Sequence, residues 1–159
     1  MQENNQRVEE RERRRLLVFK AGPRLLGVFA DEANTVVEWR RPTPLPYAPK
    51  SVLGVVSVRG RMLTVLDPLS LLSETNAVEA LSFNFIIPLG GDEQLALAAE
   101  QAQGFIEIFA DEISPQSQDL KNDAVLGIIE SESGPLVVLK VRELFAAALQ
   151  GAERRRKRF

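Results

Sequence analysis

The chain has 159 residues, 45% of them apolar and 26% charged, with a formal net charge of −2, no cysteine and no histidine. That apolar share supports a packed interior and excludes a disordered chain, and the length suits one ordinary domain or two small ones sharing a core. The missing residue types exclude disulfides, thiolate catalysis, cysteine-ligated metals, the usual zinc sites and imidazole bases, which leaves an enzyme only carboxylate or lysine chemistry.

Residues 1–15 (MQENNQRVEERERRR) hold five arginines against four glutamates. They are expected to form a charged, frayed extension, since Glu/Arg pairs at helical spacing add only a few tenths of a kcal/mol each. From Leu16 the pattern changes. Leu16–Phe19 and Leu25–Phe29 read as strands joined at Gly22-Pro23, and Thr35–Trp39 as a third strand rich in β-branched and aromatic residues. Arg40–Pro49 (RRPTPLPYAP) carries too many prolines for a helix or a central strand. It is read as a rigid connection rather than a polyproline ligand.

Val52–Leu72 (VLGVVSVRGRMLTVLDPLSLL) then reads as a strand, a tight turn at Arg59-Gly60, a second strand and a helical turn. Ser73–Leu81 is a polar linker. In the second half, Phe83–Ile87, Gln94–Ala99, Gly104–Phe109, Val125–Ser131 and Gly134–Lys140 are strands, with a turn at Gly90-Gly91-Asp92. Val141–Leu149 is a helix with Val141, Leu144, Phe145 and Leu149 on one face. Residues 150–159 form a basic tail, four arginines and one lysine against Glu153, so the body between the two ends is acidic. An acidic body argues against nucleic-acid binding. No apolar run approaches the roughly 18–20 residues of a membrane span, and the polar N-terminus is not a secretory signal. A soluble cytoplasmic protein is expected.

The chain repeats itself. Sliding it by 73 positions lays Val52–Val56 on Val125–Ile129 and Leu63–Leu66 on Leu136–Leu139, without a gap over 21 positions. An offset of 69 extends the match upstream, laying Leu26, Val28, Val36 and Trp39 on Leu95, Leu97, Phe105 and Ile108. So long a period means two copies of a small domain. The expected fold is all-β: two tandem five-stranded barrels on a shared core, the first over 16–72 and the second over 82–149, each closed by a helix.

Catalytic candidates are weak. Asp31-Glu32 and Asp111-Glu112 lie at strand ends, where acids are commonly solvated. Gly90-Gly91 has neither the helix nor the lysine of a phosphate loop. No group of residues supplies nucleophile, base and oxyanion donor together, so neither an enzyme nor a cofactor or metal site is expected. Arg59 stands apart, on a turn held by flanking apolar strands, with Glu132 as its counterpart in the second copy. Two roles stand open: it caps its turn or pairs with a local acid such as Asp67, or it offers a planar fork to a partner.

These segments resemble the CheW-type chemotaxis coupling proteins. LLVFKAG, LLGVFADEANTVVEW, LPYAP, GVVSVRG and MLTVLD follow the family's order of strand, glycine turn, valine-rich segment, proline loop, G-V-x-N-L-R-G motif and strand ending in Asp. LALAAEQAQGFIEI and VLGIIESESGPLVVLKVRELF match its second half, so the resemblance spans Leu16–Leu149. Ser57 stands where the motif has Asn, Ala33 where the family has Val, and Glu100 and Ala102 where it has Asp and Val. The resemblance implies two SH3-like barrels and a non-enzymatic adaptor without cofactor. It implies binding to the cytoplasmic tip of methyl-accepting chemoreceptors and to the regulatory domain of a CheA-type histidine kinase, in arrays at the inner membrane face without membrane insertion. Carried over by position, Arg59 and Gly60, with Val58 before them, match the receptor-contacting turn; Ala33 matches a groove valine and Gly54 the glycine that opens the motif. The alternative is an SH3-like scaffold for other partners or proline-rich peptides.

Overall fold

Among the described residues, ten strands, two α-helices and a 3-10 turn at Ala110–Glu112 account for the regular structure, and most strands are apolar at consecutive positions because both of their faces are covered. The computed structural model describes residues 11–33, 35–72, 82–116 and 122–156, with backbone alone from residue 150. The first half holds β1 (Arg13–Ala21), β2 (Arg24–Phe29), β3 (Val37–Glu38), β4 (Val52–Val58), β5 (Arg61–Leu66) and α1 (Pro68–Leu71). The second holds β6 (Phe85–Pro88), β7 (Leu95–Ala99), β8 (Gln101–Phe109), β9 (Val125–Ser131), β10 (Gly134–Leu139) and α2 (Val141–Arg156).

The strands form two five-stranded sheets in the orders β8-β1-β2-β10-β9 and β3-β6-β7-β5-β4, each curled as a half-barrel. Two sets of five are as the repeat implies. Each sheet joins the first two strands of one copy to the last three of the other. The exchange is symmetric: replacing every strand by its repeat counterpart turns one strand order into the other. Two parallel pairs close it. Thr64, Val65 and Leu66 of β5 face Leu95, Ala96 and Leu97 of β7, while Leu136, Val137 and Val138 of β10 face Leu25, Leu26 and Gly27 of β2. The linker Ser73–Leu81 lies outside the described residues.

Alternation along each strand explains the cores. Leu17, Phe19 and Ala21 of β1, Leu26 and Val28 of β2, Leu95, Leu97 and Ala99 of β7, and Val137 and Leu139 of β10 meet in one cluster between the sheets. The intervening residues fill each half-barrel: Leu16, Val18, Leu25, Phe29 and Leu136 in one, and Val56, Val58, Leu63, Val65, Ala96 and Ala98 in the other. α1 starts at Asp67, whose buried carboxylate accepts from the Leu69 amide at 3.0 Å and the Ser70 hydroxyl at 2.9 Å. That is an N-cap.

Several expected boundaries move. β1 begins at Arg13, inside the segment expected to fray, because arginines stack on ring faces there: Arg11 over Phe109 at 3.9 Å, Arg14 over Phe29 at 3.8 Å and Arg15 over Phe105 at 4.3 Å. Residues 1–10 lie outside the described residues, as do 157–159. The α2 backbone runs to Arg156, through much of the expected tail. Alanine, glutamate and arginine are good helix formers, and basic residues suit a helix C-terminus. Among the described side chains of α2, Leu144 and Ala148 are buried, whereas Phe145 and Leu149 are each 45% exposed. β3 shrinks to two residues.

The two copies share one tight crossing. Thr43 exchanges main-chain hydrogen bonds with Val55 at 2.8 and 2.9 Å, and Ser114 does the same with Ile128 at 2.9 and 2.8 Å. Beside them, Gly54 and Gly127 leave no room for a Cβ, which would collide with the Thr43 and Ser114 carbonyl oxygens respectively. Gly54 also has φ near +143°, where side chains are strained. Gly54→Ala and Gly127→Ala are each expected to lower unfolding free energy by about 1–3 kcal/mol, with Gly54→Ala the costlier. Chemical denaturation of the two variants measures both values.

Candidate functional site

The turn between β4 and β5 is an exposed feature that the repeat does not duplicate. Val58 pairs with Arg61, so the loop holds only Arg59 and Gly60. A two-residue hairpin loop matching strand twist needs positive φ at both positions, which makes asparagine-glycine its preferred sequence. Gly60 supplies one at +79°, and Arg59 supplies the other at +51°. A Cβ on Gly60 would meet nothing within 4 Å, so the glycine is there for its backbone and not for space. Arginine has no such excuse. A left-handed, non-glycine residue costs about 1–2 kcal/mol, and an asparagine would avoid part of that cost.

Arg59 is exposed and makes no hydrogen bond or ion pair with another described residue. The pairing with Asp67 does not occur, because that carboxylate is buried at the start of α1 and saturated there. The fork is presented on a rigid tip: Val58, Leu63 and Val65 behind it are at most 7% exposed.

Beside the tip runs a groove of about 220 Å3. Arg59 and Arg61 border one side, Asp31 and Glu32 at the end of β2 supply acids, and Val58 and Pro88 contribute apolar wall. A second, larger groove of about 680 Å3 lies around Phe29, Leu126 and the start of α2, and Asp31 and Glu32 border it as well. Arg14 reaches Asp31 at 3.4 Å across that groove.

The five residues singled out from the sequence divide. Arg59 and Gly60 are exposed at the tip, and Val58 lines the groove from inside the half-barrel. Ala33 is 2% exposed and belongs to the cluster between the sheets. Gly54 is buried against Thr43. Neither Ala33 nor Gly54 reaches the surface or lines the groove beside the tip. What sequence reasoning missed lies at the N-terminus: Arg11 holds Asp111 with two hydrogen bonds, Nε to Oδ2 at 2.8 Å and Nη2 to Oδ1 at 2.7 Å. That contact holds the Asp111 carboxyl below the usual carboxylate range. The alternating arginines 11, 13 and 15 were the available signal, since period-two spacing suits a strand face.

Known proteins were compared with this chain. A family model described as a CheW-like domain matches residues 15–149. The chain is 27% identical over 139 residues to protein FrzA of Myxococcus xanthus, covering 86% of each chain. It is 22% identical over 135 residues to the chemotaxis protein CheW of Rhizobium meliloti, covering 83% of this chain and 87% of that one. The crystal structure of the scaffolding protein TtCheW from Thermoanaerobacter tengcongensis superposes with a TM-score of 0.72 at 20% identity, over 84% of this chain and 88% of the other. That likeness shows the fold.

Electrostatics around the grooves is testable through Glu32. Burial pushes its carboxyl up, adjacent Asp31 pushes the same way, and Arg142 and Arg14 pull it down. The native state therefore holds this proton more tightly than the unfolded chain, and the associated stability falls as pH rises from the ordinary glutamate value to the folded one. Asp31→Asn is expected to lower the Glu32 midpoint and Arg142→Gln to raise it, read by carboxyl-carbon NMR titration.

Proposed function

Because the chain belongs to the CheW-like domain family, we propose that it is a non-enzymatic adaptor coupling the cytoplasmic tip of methyl-accepting chemoreceptors to the regulatory domain of a CheA-type histidine kinase. The family is one of adaptors and scaffolds in chemotaxis-type signalling. Receptor, kinase and adaptor then meet in cytoplasmic arrays. No helix among the described residues is long and apolar enough to cross a membrane, so the adaptor reaches such an array through its partners.

The observation that carries the reading is Arg59. It keeps a backbone conformation that disfavours it, has no partner among the described residues, and occurs at one of two otherwise equivalent tips. Local strain retained without local benefit points outward, to a bound partner. Arg59 and Gly60, with Val58 behind them, form the receptor contact. Arg59 supplies a charged fork to carboxylates or carbonyl oxygens, and the groove supplies acids for a partner's basic groups. Coupling needs no chemical step: an adaptor that binds each partner differently in its signalling states transmits a free energy between them.

A groove of exposed aromatics for proline-rich peptides finds less support. Trp39 is half-buried and packs on Phe83 with ring centroids 5.4 Å apart.

Two substitutions separate binding from folding. Arg59→Glu is expected to weaken capture of a receptor signalling-tip fragment by at least roughly tenfold, about 1.4 kcal/mol, with an unchanged unfolding curve. Arg59→Asn, the residue this turn prefers, is expected to raise stability by a few tenths of a kcal/mol while also weakening capture. Undiminished capture by both variants would remove Arg59 from the interface.

A further inference from the structure

The two sheets match strand for strand, yet one edge does not. β3, at the edge of its sheet, has two residues; its counterpart β8 has nine, Gln101–Phe109. On the opposite edges, β4 and β9 are each blunted by a main-chain bridge, to Thr43 and to Ser114. A bulge at Gln103 interrupts the β8 ladder, but the stretch beyond it, Gly104–Phe109, runs without a break and carries no lysine, proline or covering loop among the described residues, with Phe105 and Ile106 38% and 41% exposed. A long open edge of this kind is a template for another strand.

Which groups it offers follows from the ladder. The Ala110 amide donates to the Glu12 carbonyl at 2.8 Å and the Ala30 amide to the Arg15 carbonyl at 2.8 Å, so Ala110 points toward β1 while Arg15 points away from β8. Alternation turns the main-chain groups of Phe109, Glu107 and Phe105 outward. The Phe109 amide is already taken, donating to Glu112 Oε2 at 3.0 Å. Phe105 and Glu107 remain, each with an outward amide and carbonyl.

The side chains identify the occupant. Arg15 stands directly across the ladder from Glu107 but lays its guanidinium over the Phe105 ring, 4.3 Å from its centre. Glu107 is left exposed, with no hydrogen bond or ion pair to another described residue. An antiparallel second β8 with its two-fold axis at Ile106 brings each Phe105 opposite the other copy's Glu107. The outward residues then exchange both of their main-chain bonds, and each Glu107 falls beside the guanidinium parked over the facing Phe105. No like charges stand directly opposite one another, and the two Glu107 lie on the diagonal, each nearer an arginine than the other glutamate. We propose that β8 is a homodimerisation edge, at which two copies of this chain join their sheets through Phe105 and Glu107, with Arg15 of each copy pairing with Glu107 of the other. The surface is separate from the Arg59 tip, so the inference stands apart from the proposed receptor contact.

The test uses the full chain and charge reversal at exposed positions. Sedimentation velocity is expected to show a reversible dimer on raising the concentration toward about 1 mM. Glu107→Arg should weaken it by roughly tenfold or more, and the double variant Arg15→Glu/Glu107→Arg should recover most of the loss. Amide exchange gives a readout independent of these variants: the Phe105 and Glu107 amides should slow as concentration rises, while the Phe109 amide, already bonded within the chain, should not change. A monomer throughout the range overturns the proposal. So does a dimer that Glu107→Arg leaves intact, or one that forms without slowing the Phe105 and Glu107 amides.

Discussion

Two parallel strand pairs, β2 with β10 and β5 with β7, hold this molecule together. In each, a strand from one half of the chain completes the sheet of the other half. Parallel neighbours have to be buried on both faces, and that requirement produces the apolar runs at Leu25–Phe29, Leu63–Leu66, Leu95–Ala99 and Leu136–Leu139. It also produces the cluster between the sheets, which draws residues from both halves. Neither half could keep these strands covered alone. The result is a single frame in which surfaces on different parts of the chain hold fixed positions.

Upon that frame, likeness and difference between the copies have separate meanings. Gly54 and Gly127 serve one purpose twice, letting a crossing strand approach within main-chain bonding distance. Their agreement reports the fold. Arg59 and Glu132 occupy equivalent tips with opposite charge, and only the first tip has the Arg-Gly pair with positive φ at both residues. β3 and β8 diverge in length in the same way. Packing cannot account for either divergence, since both lie on the surface.

Much of this was legible in the chain. Period-two alternation and the internal repeat located nine of the strands well, and the repeat located the tip where function was to be sought. The exchange of strands was not legible, because a repeat reveals which segments are equivalent and says nothing about which equivalent segment pairs with which. The start of β1 was hidden for another reason. Arg13–Arg15 read as a solvated charge run, and only their stacking on Phe109, Phe29 and Phe105, nearly a hundred residues away for two of the rings, makes them a strand. Ala33 and Gly54 aligned with a binding motif but lie inside, and burial of that kind is not legible from a motif match alone.

An adaptor differs from a simple ligand in holding two partners simultaneously. The most direct measurement is therefore the mass of the complex formed when this chain is mixed with a receptor signalling-tip fragment and a kinase regulatory domain from the same cell, by size-exclusion chromatography with light scattering. A ternary species containing all three is expected. Displacement of one partner by the other, with only binary complexes at every ratio, would contradict it.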